Sequence, residues 1–593
     1  MKKVLFLILI LNFTLLSAMT KKTDKKSMDD WEYNATVEMK DNSSFFSTGR
    51  TRMLNMSLPA PKSYRAKKVG MSVGGAKDTN NFKANIDKGY LPKLDSITYE
   101  GQFYNHYFDT ALGGDECKEL FCPSYATAKR KNSFSNEKEF FLAVGLNSGI
   151  DEKDFKRKKL NLVVILDISG SMESSFDAYH YDNLGNKVLN KEKSVKTKME
   201  IANESIVAML SHLNDDDRVG IALFDHNSYV AKPLNLVGKT DKLAIKKHIL
   251  ELKAQGGTDW SVGYKEGIKL FDEVKEDSEY ENRVIFLTDA MPNRGELSKN
   301  KLFGLAKNAS AKGIYTTFIG IGVDFNNDLV EYVSKTKGAN YFSVHSSKEF
   351  SKLLDKEFEY MVTPLVYDLE LKLNNSIYSI EAVYGSPDAK LATGTLMKIN
   401  TLFPSHNDGN ATKGGVVLIK LKEHTQQATS ADIFLEVSYK DVNGKAYHNK
   451  QKVTFDKKDV YYGNSGIRKA ILVSDYVSVM KNWLIDTRAG CNDKVKWVMQ
   501  NPTAIMKRCM VYPPKHPLYP VVSTWERRSC ELKVTQGYKQ LFQLFREVYI
   551  AEQAVLKDES LNKELAILDT LLSQKITTIN REVQSKDDWQ FKQ

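Results

Sequence analysis

Cysteine is scarce in this chain, with five in 593 residues. That excludes a small scaffold held by disulfides. With 14 prolines and 34 glycines it is neither collagen-like nor a low-complexity linker. Beyond the N-terminus no run reaches 18 consecutive apolar residues, so no integral membrane span is expected after the first segment. A strong charge of one sign is also missing. Lys and Arg number 85 against 74 Asp and Glu, a net charge of +11. The excess is not gathered into the basic stripe a nucleic-acid binder needs, so no nucleic-acid partner is expected. No H-E-x-x-H helix and no G-x-x-x-x-G-K-[ST] loop occurs, which removes zincin and P-loop chemistry. The expectation is a protein that is not an enzyme.

What remains is globular in composition: 42% hydrophobic, 10% aromatic and 27% charged. At roughly 150 residues per domain, the length suits about four domains. Lys2 and Lys3 precede an apolar run from Val4 to Leu11 that continues to Ala18. A basic start, an apolar stretch and a small residue at a cleavage point read as a secretory signal peptide over 1–18. The protein is therefore expected to be exported, whether periplasmic, held at the cell envelope or secreted. In an oxidising compartment Cys117 and Cys122 are a candidate disulfide.

Residues 19–90 are polar and poorly periodic, and are expected to be largely disordered. Residues 91–158 form a small aromatic flanking region. Over 159–362 short β-branched runs alternate with helical patterns. The runs are Leu160–Leu166, Arg218–Phe224, Arg283–Thr288, Ile314–Gly320 and Asn340–Val344. They suit strands buried on both faces, hence an α/β fold with a doubly wound, mainly parallel sheet. Over 363–462 the period falls to two, and Asn443-Gly444 marks a hairpin, so an antiparallel β-sandwich is expected. Residues 463–575 carry apolar stripes at helical spacing, and 576–593 form a polar tail.

One constellation carries chemistry. The first strand of the α/β unit ends in Asp167-Ile168-Ser169-Gly170-Ser171, and a later strand ends in Thr288-Asp289. Ligands bind at the carboxyl ends of such strands. Between them Gly256-Gly257-Thr258-Asp259 places a hydroxyl before a helix. Two carboxylates and three hydroxyls form an all-oxygen set suited to a hard divalent cation. Two carboxylates leave such an ion short of negative charge, so an acidic residue of a protein partner is expected to complete its shell.

Asp167-x-Ser169-x-Ser171, Thr258 and Asp289 resemble all five parts of the metal-ion-dependent adhesion site of von Willebrand factor type A domains. The resemblance implies Mg²⁺ as cofactor, with Mn²⁺ or Ca²⁺ as alternatives. It implies that Ser169, Ser171 and Thr258 ligate directly, and that Asp167 and Asp289 ligate or hold waters. Asp259 is a helix cap or a support behind the ligands. The flanking regions look like those of exported bacterial proteins of this type, and loosely like inter-alpha-trypsin inhibitor heavy chains. The implied function is adhesion or interaction through the metal; the alternative is an envelope scaffold in which the metal chiefly stabilises. The stretch 173–198 is longer than the family's usual link. The oligomeric state stays open.

Overall fold

The computed structural model describes residues 28–34, 68–110, 118–175, 179–181, 187–189, 196–275, 277–289, 299–322, 335–374, 377–387, 396–408, 411–423, 433–489 and 530–576. The signal-peptide reading, Cys117 and the tail beyond 576 lie outside them.

The α/β unit is built on β1 (Lys159–Asp167), β2 (Arg218–Phe224), β3 (Ser228–Leu236), β4 (Tyr280–Thr288), β5 (Ile314–Ile321) and β6 (Asn340–Val344). Their order is β3-β2-β1-β4-β5-β6, with residues 75–76 adding a seventh strand beside β6. All pair in parallel except β3, which returns antiparallel along β2. The alternation of β1 explains the double winding. Leu160, Leu162, Val164 and Leu166 enter one core, while Val163 and Ile165 enter the other. The first core is covered by α1 (Lys198–Met209), α2 (Lys242–Leu250) and α5 (Ser347–Asp355). The second is covered by α3 (Trp260–Lys269) and α4 (Lys299–Ala311). The five expected runs are all strands. The proline-bearing β3 was not expected, because Lys232, Pro233 and Asn235 interrupt its apolar residues.

The rest of the chain departs from the expected segmentation. A ten-stranded sheet takes strands from both sides of the α/β unit. Strand Lys68–Val73 pairs antiparallel with both Lys138–Asp151 and Leu396–Ser405. Lys138–Asp151 also pairs with Cys122–Lys131 and Val416–Glu423. Segments 91–158 and 363–462 thus share one sheet, and 68–90 is strand and helix rather than disordered. Local periodicity cannot show this, because the pairings of 68–73 with 396–405 and of 138–151 with 416–423 join residues hundreds of positions apart. Phe140, Leu142, Val144 and Leu146 face a core shared with strands 366–374, 396–405 and 433–441. Phe141 and Ala143 face the other way, into a core closed by helices Ser465–Ala489, Gln536–Leu556 and Asn562–Ser573. Cys122 is disulfide-bonded.

Candidate metal centre at the carboxyl edge of the sheet

Hydrogen-bond register carries the two acidic strand ends to one place. β4 and β1 run parallel with Leu287 opposite Leu166, so Thr288 and Asp289 emerge beside Asp167. The Thr288 hydroxyl donates to Asp167 Oδ2 at 2.5 Å, and the Ser169 backbone amide donates to Oδ1 at 2.8 Å. The hydroxyls of Ser169 and Ser171 lie 3.1 Å apart, and Ser171 donates to Asp289 Oδ1 at 2.8 Å. Asp167, Ser169, Ser171 and Asp289 therefore form one connected cluster.

Thr258 is buried at the start of α3. Backbone hydrogen bonds tie its loop to the serine loop. Gln255 N donates to Ile168 O at 2.6 Å, and Gly170 N donates to Gly256 O at 3.1 Å. Gly256 has φ +69°, and a Cβ there would meet Asp225 Oδ2 at 2.7 Å, so glycine is required on both counts. Asp259 caps α3, accepting at Oδ1 from Ser261 N at 3.0 Å and Ser261 Oγ at 2.7 Å.

Three contributors were missed in the sequence. Lys198, at the first position of α1, donates to Asp289 Oδ2 at 2.9 Å, and both side chains are buried. Thr197 and Glu200 form a capping box that fixes this helix start. The helix start, legible as Thr197-x-x-Glu200, was the available signal. Asp225, just past β2, accepts at Oδ1 from Asn227 N at 2.7 Å, and its carbonyl accepts from Asp259 N at 2.7 Å. Gln255 completes the brace, donating to Asp225 Oδ2 at 3.4 Å.

The electrostatics fit a cation. Burial, and then the charge of Asp289, push the Asp167 carboxyl up to about 7 against the opposing pull of Thr288 and Ser169. A buried carboxyl facing a second carboxylate gains most from a positive ion beside it. The donors are all oxygen, which suits a hard divalent cation better than a metal preferring nitrogen or sulfur.

A further pattern stands in the sequence near the start of the described chain. Gly70-Met71-Ser72-Val73-Gly74 has the G-x-S-x-G spacing of a hydrolase nucleophile. Ser72 instead lies within strand Lys68–Val73, buried, and accepts from Lys77 Nζ at 2.8 Å. A nucleophile elbow needs a strand-to-helix turn, so this serine is a sheet residue.

The family model for the von Willebrand factor type A domain matches residues 161–356. The chain contains a von Willebrand factor type A (VWA) domain. Domains of this type typically mediate protein–protein interaction. The uncharacterized protein sll0103 of Synechocystis is 24% identical over 208 residues, 35% of this chain and 43% of that protein. Inter-alpha-trypsin inhibitor heavy chain H2 of Mus musculus is 22% identical over 215 residues, 35% of this chain and 20% of that protein. The chain thus spans less than half the length of these curated relatives. The solved von Willebrand factor type A protein from Catenulispora acidiphila has a TM-score of 0.41 at 14% identity, over 63% of this chain and 82% of that one. Among the described residues no helix is long and apolar enough to cross a membrane.

Proposed function

We propose that this is an exported, non-enzymatic interaction protein whose VWA domain binds a divalent cation, Mg²⁺ foremost, and through it an acidic residue of a protein partner. The observation that carries this reading is the cluster of Asp167, Ser169, Ser171 and Asp289 at one sheet edge, with Thr258 on the adjoining loop. A bound Mg²⁺ would offer an open position to a carboxylate oxygen of the partner. The serine and threonine hydroxyls supply neutral donors, so the two aspartates leave the site short of negative charge. Thr288 and the Ser169 amide hold Asp167 in place. Lys198 holds Asp289 and shares its charge. That sharing deepens the demand for an acidic group from outside.

The scaffold alternative, in which metal chiefly stabilises, sits less well with Lys198. The buried ammonium already offsets Asp289, so the fold has its own cation at this edge.

Calorimetric titration of Mg²⁺, Mn²⁺ and Ca²⁺ into chelated protein tests the site, beside Asp167→Ala. One saturable site, lost in the variant, is the expected result. Capture of partner proteins in Mg²⁺, compared with EDTA, should also vanish in Asp167→Ala. Equal capture by the two proteins would sink the reading.

A further inference from the structure

Residues 28–34 stand apart from the VWA domain in sequence, with 35–67 outside the described residues, yet they run along its β3 edge. Met28 N donates to Lys239 O at 2.9 Å, Asp241 N to Met28 O at 2.8 Å, and Glu32 N to Ala231 O at 2.8 Å. The middle is pinned by charge. Asp30 Oδ2 accepts from Lys232 Nζ at 2.9 Å and from Asn235 Nδ2 at 2.7 Å, with Lys232 0% and Asp30 5% exposed. Aromatic rings hold it at two further points. Trp31 stacks on His248 with centroids 5.3 Å apart, and Tyr33 meets Tyr229 edge-on at 5.2 Å. Both pack against the core shared by α1, α2 and α5.

The path ends at the metal edge. Gln255 Nε2 donates to the Tyr33 hydroxyl at 3.1 Å. The same Gln255 donates its backbone amide to Ile168 O at 2.6 Å, inside the Asp167–Ser171 loop. Its neighbour Gly256 accepts from Gly170 N at 3.1 Å. The loop that carries Thr258 is thus held on one side by the serine loop and on the other by Tyr33.

We propose that residues 28–34 are a positioning strap for the candidate metal centre, with Tyr33 setting the place of Thr258 through Gln255. This rests on the metal reading above. Tyr33 is a positioning residue, since its hydroxyl meets Gln255 rather than a candidate ligand. The strap also makes the metal edge depend on a segment far outside the VWA domain, so a VWA fragment lacking it would carry a looser site.

The test uses the full chain, metal-free and then with Mg²⁺ alone. Tyr33→Phe removes one hydroxyl and keeps the ring, so the variant should fold. Its amides at Gln255–Asp259 should exchange with solvent about three- to tenfold faster, the range expected for one lost hydrogen bond. Exchange in β6, remote from the strap, should not change. Mg²⁺ affinity should weaken by a similar factor with the melting temperature unmoved. Gln255→Ala should do the same, and the double variant should add little, as for two members of one path. Unchanged exchange and unchanged Mg²⁺ affinity in Tyr33→Phe would overturn the strap. A wild-type chain that binds no Mg²⁺ would sink the metal reading instead, and the exchange rates would then decide the strap alone.

Discussion

Lys198 shows how much one residue carries at this edge. Its ammonium is buried against Asp289 at 2.9 Å, and α1 begins at this residue, so backbone and charge are set by the same turn. Lys198→Met would leave Asp289 buried without its partner beside a second carboxylate. Breaking a buried pair from one side costs about 3–5 kcal/mol. The metal-free variant should lose stability of that order in urea unfolding. Mg²⁺ should restore more stability to the variant than it adds to wild type, because it replaces a missing positive charge. A variant as stable as wild type without metal would show that the pair is solvated in solution. In the sequence Lys198 is one lysine among many in a lysine-rich stretch, and it is the meeting of the α1 start with the residue after β4 that singles it out.

At the scale of the element, α3 packs closely on the sheet. Trp260 and Tyr264 fill the core beneath it, against Phe286 and Phe318. Gly263 and Gly267 let the helix backbone approach the sheet. A Cβ at Gly263 would sit 2.5 Å from Phe224 Cγ, and one at Gly267 would strike Ile165. By propensity alone, alanine in a helix interior is favoured over glycine by about 1 kcal/mol. Here overpacking outweighs it, at about 1–3 kcal/mol. Gly263→Ala should therefore lower the melting temperature rather than raise it. A raised melting temperature would mean that Phe224 gives way freely. Because Asp259 caps this helix directly after Thr258, Gly263→Ala should also weaken Mg²⁺ binding.

At the scale of the whole molecule, the VWA domain is joined to the flanking sheets by polar contacts. Glu357, between α5 and helix Phe358–Val362, meets His406 Nε2 at 3.1 Å and Lys413 Nζ at 3.6 Å. Burial alone would raise its carboxyl, but His406, Lys413 and Lys352 override that and hold it at about 2. A carboxyl lowered by folding stabilises above its unfolded value near 4.5 and stops doing so as pH falls through its folded value. Stability should therefore decline between pH 4.5 and 2, and Glu357→Gln should flatten that decline in urea unfolding at pH 3 and pH 6. On the far edge, Lys77 N donates to Tyr341 O at 2.9 Å, and Asp78 Oδ2 accepts from Ser343 N at 2.6 Å. Expressed alone, residues 159–362 lose these contacts and leave the β6 edge bare. The fragment should unfold at lower urea than the VWA domain within the full chain, followed by the fluorescence of buried Trp260.

The α/β fold was legible in the sequence because strands buried on both faces must be apolar throughout, and the helices between them must show one apolar face. The acidic and hydroxyl residues were legible too, since they stand at strand ends or just before a helix, where local sequence and local structure coincide. Lys198, Asp225, Gln255 and the strap at 28–34 were not, nor was strand 68–73 between 138–151 and 396–405. Their roles come from backbone pairing and buried charge across long separations, and neither leaves a periodic trace. Residue type and spacing determined which oxygens this protein could offer to a cation. Only the tertiary structure decided what holds those oxygens in place, because a buried lysine or a docked strap acts through a neighbour that folding alone supplies.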